Sequence, residues 1–219
     1  MNKVLIIGGH GKIALLLAPL LQEAGMEVTS VIRNAAHIDD VAAAGATPVV
    51  HDVVSSSAEE LTDVLAGHDA VVWAAGAGGG EPERTYAVDR DAAIASIDAA
   101  GAAGVQRYVM VSYMGARTDH GVPPENSFFA YAESKAAADV HLQSSQLAWT
   151  IVAPGALTLD EATGRVDPTA ADERQGDSND TSRANVAQLI AAVLQRPDTI
   201  MRTIDFSDGD VPLEEALTP

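Results

Sequence analysis

Short apolar runs alternate with longer amphipathic stretches as far as Pro154. The runs have the length of buried strands, and the stretches repeat apolar residues at the spacing of one helix face. Strands that alternate with helices are typical of βαβ units and a parallel sheet. The pattern predicts strands over residues 4–7, 28–32, 47–51, 70–74, 107–111 and 149–153, and helices over residues 12–24, 39–44, 58–65, 84–103 and 131–144. We therefore expect an α/β fold, a doubly wound parallel sheet with strand order 3-2-1-4-5-6.

The regular alternation ends after Pro154, where a polar stretch rich in Asp, Thr and Gly runs over residues 155–180. The tail is expected to contain a short strand or turn, a helix, a strand and a closing segment, at residues 163–167, 184–194, 200–206 and 211–217 in that order. It is too small for a core of its own. We expect one domain over 1–219, in which 155–219 form a small cap on the carboxyl edge of the sheet.

Composition limits the partners of the chain. Its 13 lysines and arginines and 31 aspartates and glutamates give a formal net charge of -18. A field of that sign repels nucleic acids and anionic membranes, so we expect neither as a partner. There is no cysteine, and the six histidines lack metal-ligand spacing, so we expect no disulfide and no metal site. With no leader and no membrane-length apolar run in the pattern, we expect a cytoplasmic protein.

The most informative segment is K-V-L-I-I-G-G-H-G-K-I-A at residues 3–14, which predicts a strand, a glycine-rich turn and a helix start. Gly8 permits the sharp exit from the strand, Gly11 lets backbone approach a pyrophosphate, and Ala14 keeps helix and strand close. The helix N-terminus offers free N–H groups to phosphates. The alternative is a tight turn that binds nothing.

The ends of the following strands would reach the same ligand. Where an NAD site usually has an acid for the ribose 2′-hydroxyl, this chain has Arg33, whose guanidinium suits the 2′-phosphate of NADP. A solvent-facing Arg33 at a strand end is the alternative. Asp52 could accept from the adenine amino group or cap the next turn. The small residues Ala74, Ala75 and Gly76 would let a dinucleotide lie close to backbone.

A second set of residues could carry a reaction. Ser112 follows the fifth predicted strand, and Tyr131 and Lys135 lie four apart, on one face of a predicted helix. A tyrosine hydroxyl has a reference pKa of about 10, which a neighbouring ammonium lowers. Ser112 could then bind a substrate oxygen while Tyr131 gives or takes the proton. The alternative is a tyrosine that packs at a helix start beside an exposed lysine.

With these residues assembled, the chain resembles the short-chain dehydrogenase/reductase superfamily, and more narrowly its compact atypical or extended members of the NAD(P)H-binding and NAD-dependent epimerase/dehydratase-like kind. The resemblance rests on G-G-H-G-K-I-A at 8–14, Arg33, Asp52, A-A-G at 74–76, Y-A-V-D at 86–89, V-S-Y-M-G at 111–115, Y-A-E-S-K at 131–135, A-P-G-A-L-T at 153–158 and S-R-A-N-V-A at 182–187.

The resemblance implies a Rossmann fold and catalytic roles for Ser112, Tyr131 and Lys135. It also implies that Lys135 holds the nicotinamide ribose and that Pro154 and Gly155 flank the nicotinamide. The chain departs from the family where many members have asparagine, at Asp89 and in the A-A-G segment, which leaves the proton relay and the role of Asp89 open. The tail is shorter than that of sugar-nucleotide epimerases, which favours simple carbonyl reduction over epimerisation.

The resulting hypothesis is an NADP-dependent oxidoreductase, with NAD as the other cofactor to consider, acting on a small carbonyl or alcohol. Cofactor contacts are expected at Gly8, His10, Gly11, Lys12, Ile13, Arg33, Asp52, Val53, Ala74, Ala75, Gly76, Lys135, Pro154 and Gly155. Substrate is expected between the 113–130 loop, with Met114, His120, Phe128 and Phe129, and the cap around Leu157, although the methionine and the two phenylalanines could equally be core of the cap. The rival hypotheses are a dinucleotide-sensing protein without turnover and a scaffold with a vacant loop. A monomer or a homodimer is expected.

Overall fold

The chain folds around one long sheet, seen in a computed structural model that describes residues 1–168 and 179–218. The strands are β1 (Lys3–Ile7), β2 (Glu27–Ile32), β3 (Thr47–Val50), β4 (Ala70–Trp73), β5 (Arg107–Val111), β6 (Ala148–Pro154), β7 (Ala156–Thr158), β8 (Arg165–Asp167), β9 (Asp180–Ser182), β10 (Arg202–Asp208) and β11 (Val211–Pro212). In the described part of the chain, the long sheet has the order β11-β8-β10-β6-β5-β4-β1-β2-β3. The predicted order of the first six strands is confirmed.

Helices cover both faces of this sheet. They are α1 (Lys12–Glu23), α2 (Ile38–Ala43), α3 (Ala58–Leu65), α4 (Pro82–Thr85), α5 (Ala93–Ala102), α6 (Phe129–Ser144), α7 (Arg183–Gln195) and α8 (Leu213–Ala216). Short 3-10 turns span Ala35–His37 and Pro197–Thr199. The prediction of one continuous α-helix over 84–103 is wrong in one respect: a π-helical segment, Tyr86–Ala92, separates α4 from α5.

Alternate residues of the central strands separate two cores. In β1, Val4 and Ile6 pack with residues of α1 and α7, whereas Leu5 and Ile7 pack with residues of α3, α5 and α6. All four side chains are buried, as expected for parallel strands covered on both faces. The predicted doubly wound α/β fold is confirmed, and the carboxyl ends of the strands meet at one edge.

The tail mostly continues the sheet. β10 pairs parallel with β6, while β8 and β11 pair antiparallel beyond it. β7 and β9 form a separate two-stranded pair with parallel register. The strand predicted over 200–206 corresponds to β10, and the segment predicted over 163–167 contains β8. Residues 169–178 of the polar stretch lie outside the described residues, and a cap that contacts substrate stays a prediction.

The S-R-A-N-V-A segment, residues 182–187, caps helix α7 and connects it to neighbouring elements. Ser182 Oγ caps α7 by accepting from the backbone N–H of Asn185 at 3.0 Å. The buried Asn185 amide donates to Asp208 Oδ1 at 2.7 Å and accepts from the Gly164 N–H at 3.0 Å. A single side chain therefore ties α7 to β10 and to the turn before β8.

Candidate functional site

The glycine-rich turn connects β1 to α1 at the carboxyl edge of the sheet. Gly8 has a φ of +87°, and a Cβ there would lie 2.6 Å from the backbone of Ala75. Gly11 donates to the Gly8 carbonyl at 2.8 Å, and a Cβ on Gly11 would lie 3.0 Å from that oxygen. Gly11 is the N-cap residue of α1 and, as a glycine, provides no side-chain cap to the amides of the first turn. The turn is a backbone cradle that a side chain would fill.

A cavity of about 370 Å³ opens beside this turn, over the ends of β1 to β4. Nine of the predicted cofactor contacts line it, namely Gly8, His10, Gly11, Arg33, Asp52, Val53, Ala74, Ala75 and Gly76. Nine further residues line the cavity and were not among the predicted cofactor contacts, namely Ile7, Val31, Ile32, Asn34, His37, His51, Val54, Arg84 and Val88. The other expected contacts, Lys12, Ile13, Lys135, Pro154 and Gly155, do not line this cavity.

The cavity carries cations in a strongly acidic chain. Arg33, after β2, and Arg84, on α4, both line it and are exposed. In the described part of the chain neither guanidinium has an ion-pair or hydrogen-bond partner, so both remain available to an anion. His10 and His37 stack with ring centroids 3.6 Å apart, and Asp40 Oδ2 lies 3.0 Å from His10 Nε2.

Two of the predicted contacts have structural roles of their own. Asp52 Oδ1 accepts from the Val54 N–H at 3.1 Å, so Asp52 caps the turn, as one of the two interpretations expected. Gly155 donates to the Phe206 carbonyl at 3.0 Å. A Cβ on Gly155 would lie 1.8 Å from Asn179 O, which requires glycine there. Whether either residue also touches a cofactor stays a prediction.

A second group of polar side chains lies beside the end of β5. Ser112 is 3% exposed and Lys135 1% exposed. Lys135 Nζ donates to the Val111 carbonyl at 2.6 Å, and Ser112 Oγ donates to Asp139 Oδ2. Tyr131, Lys135 and Asp139 are spaced four residues apart on α6 and so share one face. We call Ser112, Tyr131, Lys135 and Asp139, together with Asp89, the polar cluster.

Lys135 lies between two buried acids. Burial raises the pKa of Asp139 to about 6, although Lys135 and the Ser112 hydroxyl act to lower it. Burial also raises the pKa of Asp89, against a hydrogen bond from the Ala77 N–H at 2.9 Å and the charge of Lys135. The pKa of Lys135 is lowered by burial and held up by both carboxylates.

The expected effect of Lys135 on Tyr131 is not seen. Burial raises the pKa of Tyr131, and the negative charges of Asp89 and Asp139 raise it further. Sequence reasoning counted the lysine, left the role of Asp89 open and did not include Asp139. In the described part of the chain no hydrogen bond joins Tyr131 to Ser112 or Lys135, because the lysine is directed at the strand carbonyl.

Aromatic rings surround Tyr131. Its ring centroid lies 5.3 Å from that of Phe128 and 5.5 Å from that of Tyr113. Phe128 is 41% exposed, so part of this aromatic surface faces solvent. Phe129 packs instead on His120, with centroids 5.4 Å apart. Of the two phenylalanines expected near substrate, the structure brings only Phe128 to Tyr131.

Asp89 connects the polar cluster to the cavity. A Cβ on Gly76, which lines the cavity, would lie 3.2 Å from Asp89 Oδ1. The same carboxylate is close enough to Lys135 and Tyr131 to influence the pKa of each. The two predicted sets of residues therefore meet at one edge of the sheet.

Asp139 and Arg84 are the two charged residues of the site that sequence reasoning missed. Asp139 had a usable signal, because it lies four residues after Lys135 and therefore on the face of Tyr131 and Lys135. Arg84 had none, since the helix before the π-helical segment was not separated from α5. Over residues 1–168 and 179–218 no group of three acids or histidines could hold a metal ion. A search of the same residues finds no helix with the length and apolar character of a membrane span.

Comparison with known proteins agrees with this geometry. A family model described as NAD(P)H-binding matches residues 8–197. The chain is 34% identical to the uncharacterized sugar epimerase YhfK of Bacillus subtilis, over 98% of each chain. A solved structure of a candidate NAD-dependent epimerase/dehydratase from Bacillus halodurans is 31% identical over 99% of each chain, with a TM-score of 0.88. The oxidoreductase ylbE from Lactococcus lactis is 26% identical over 98% of this chain and 94% of that chain, with a TM-score of 0.84.

The glycine cradle, the cavity over β1 to β4 and these likenesses over nearly the whole length agree on one assignment. The chain belongs to the NAD(P)H-binding family, as an atypical member of the short-chain dehydrogenase/reductase superfamily with a Rossmann fold.

Proposed function

We propose that the protein is an NADP-dependent oxidoreductase that reduces a small carbonyl substrate, with Ser112, Tyr131 and Lys135 at the reacting oxygen. The observation that carries this proposal is the position of Asp89. Its carboxylate lies against Gly76 of the cavity and acts to raise the pKa values of Lys135 and Tyr131 in the polar cluster. A ligand that fills the cavity and extends past Gly76 would reach Tyr131.

The residues of the cavity fit a dinucleotide. The turn at Gly8 and Gly11 leaves room for a pyrophosphate against the first amides of α1. Arg33 and Arg84 supply positive charge for a 2′-phosphate, and the end of β2 carries no acid that would favour NAD. When bound, the cofactor supplies the hydride.

The polar cluster supplies the proton. Tyr131 is protonated at neutral pH, as a tyrosine of ordinary pKa also is, and can donate to the oxygen of a carbonyl as that oxygen gains charge. Burial and the charges of Asp89 and Asp139 disfavour the Tyr131 phenolate that would act as the base in alcohol oxidation. Lys135 balances those acids and keeps the buried site from accumulating negative charge.

The direct experiment measures binding and turnover together. Titration calorimetry with NADPH and NADH should show tighter binding of NADPH, and NADPH should be oxidised with at least one member of a panel of aldehydes and ketones. A dinucleotide-sensing protein would bind NADPH and show no turnover with any of them. A scaffold would bind neither dinucleotide.

A further inference from the structure

The face of α6 that carries Tyr131 and Lys135 continues to Asp139, an acid that so far has no role toward Ser112 in the proposed reaction. Asp139 is 6% exposed and its Oδ2 accepts the hydrogen bond of Ser112. A serine hydroxyl has one proton. When Ser112 donates that proton to Asp139, it can only accept a hydrogen bond from a ligand.

The second oxygen of Asp139 points to another arrangement. Asp139 Oδ1 is buried and has no hydrogen-bond partner within residues 1–168 and 179–218. An ionised carboxylate with an unpaired buried oxygen is costly, whereas a neutral carboxyl can itself donate a hydrogen bond. If the neutral acid donates to Ser112 Oγ, the serine proton becomes free for a ligand.

We propose that Asp139 is a positioning residue that sets the direction of the Ser112 hydrogen bond, and with it the kind of oxygen that Ser112 recognises. With Asp139 ionised, Ser112 accepts from the hydroxyl of an alcohol. With Asp139 neutral, Ser112 donates to a carbonyl oxygen. The identity of the ligand rests on the proposed function, while the coupling of Asp139 to Ser112 is a property of the folded chain alone.

The surroundings of Asp139 allow both states. The groups that face it come from three elements and are Lys135 and Tyr131 on α6, Ser112 and Tyr113 after β5, and Asp205 on β10. Burial raises the pKa of Asp139 to about 6; Lys135 and the Ser112 hydroxyl act against the rise and Asp205 adds to it. Both protonation states are therefore reachable in mildly acidic solution.

The first test needs no substrate. Asp139 is titrated by NMR in protein labelled with carbon-13 at the aspartate carboxyls, and Asp139→Asn identifies its signal. The midpoint should lie near pH 6. In Ser112→Ala it should rise by about one pH unit, because a hydrogen bond to the charged form is lost. Ser134→Ala is the matched control, since Ser134 is buried on the same helix but donates to the Ala130 carbonyl at 2.6 Å.

Ser112→Cys keeps a weaker hydrogen-bond donor, so the midpoint of Asp139 should rise less than in Ser112→Ala. The cysteine variant can replace Ser112→Ala in this test if the alanine variant fails to fold. A midpoint that stays fixed in the Ser112 variants, as in Ser134→Ala, overturns the proposal. So does an Asp139 that titrates near pH 4, because it would be ionised throughout the working range.

The second test follows kcat/KM for carbonyl reduction against pH. The wild-type value should fall as Asp139 ionises, and Asp139→Asn should lose that fall because its amide donates to Ser112 at every pH. A fall that persists in folded Asp139→Asn contradicts the proposal. If no carbonyl is reduced but the Ser112 substitutions still move the midpoint, the proposed function fails while the coupling of Asp139 to Ser112 stands.

Discussion

In the cavity over β1 to β4, recognition rests on backbone, small residues and exposed arginines, whereas the polar cluster beside β5 is made of buried ionisable side chains. Backbone amides at a helix start bind phosphate without a charged side chain, so this binding does not depend on the protonation state of any side chain. Buried acids and a buried lysine depend on each other, because each alone would be costly. We therefore propose that one region binds the dinucleotide and that the other holds and moves a proton.

The largest effect is expected from Lys135→Met, which removes the cation from the polar cluster. Two buried acids would then lack their counter-charge, so the free energy of unfolding should fall by about 3 kcal/mol and turnover should be lost. Urea unfolding at pH 7 measures the free energy of unfolding, and an assay of carbonyl reduction measures turnover. Lys12→Met is the matched control, since Lys12 is exposed. Equal stability of the two variants would mean that the cluster does not depend on its lysine.

Gly11→Val should separate the regions by affecting only the cavity. The backbone at Gly11 has a φ of -62°, which valine tolerates, but the side chain would fill the phosphate cradle. Affinity for NADPH should fall by about 100-fold or more while the protein stays folded. Titration calorimetry measures the loss. Gly101→Val is the control, because a Cβ at Gly101 meets nothing within 4 Å; unchanged binding in Gly11→Val would make the turn structural only.

Arg33→Glu tests which cofactor the cavity selects. The substitution exchanges an attraction for a repulsion at the expected 2′-phosphate, so NADPH should bind about 100-fold more weakly. NADH lacks that phosphate and serves as the internal control on the same variant. If NADPH and NADH weaken alike, Arg33 does not read the 2′-phosphate.

The fourth prediction concerns the pH dependence of stability that Asp139 of the polar cluster causes. Because the folded-state pKa of Asp139 is raised to about 6, its neutral form stabilises the fold below about pH 4, and this contribution is lost as pH rises through 6. Relative to Asp139→Asn, the wild type should therefore lose up to about 3 kcal/mol over that window. Urea unfolding at pH 4, 5, 6 and 7 follows the difference. Asp63→Asn, at an exposed position, should show no such trend.

The fold and the cavity could be predicted from sequence because each has a local pattern. Apolar runs marked the six parallel strands, and the glycine turn stands next to the strand and helix that it joins. β7 and β9 are short and β9 is polar, with the sequence D-T-S, so no hydrophobic pattern predicted these two strands. The pKa of Tyr131 could not be predicted, since it depends on burial and then on Asp89, which the π-helical segment brings in from a distant part of the chain.

The most direct measurement of the central claim is NADPH affinity and turnover in Tyr131→Phe. The substitution removes one oxygen and keeps the ring that packs on Phe128 and Tyr113. With a substrate found from the carbonyl panel, kcat should fall by about 100-fold or more while the Kd for NADPH stays within error of the wild type. Tyr113→Phe removes the same atom from the neighbouring ring and should leave kcat close to the wild-type value. A Tyr131→Phe variant that keeps wild-type kcat would contradict the account, because the proton would then come from another group.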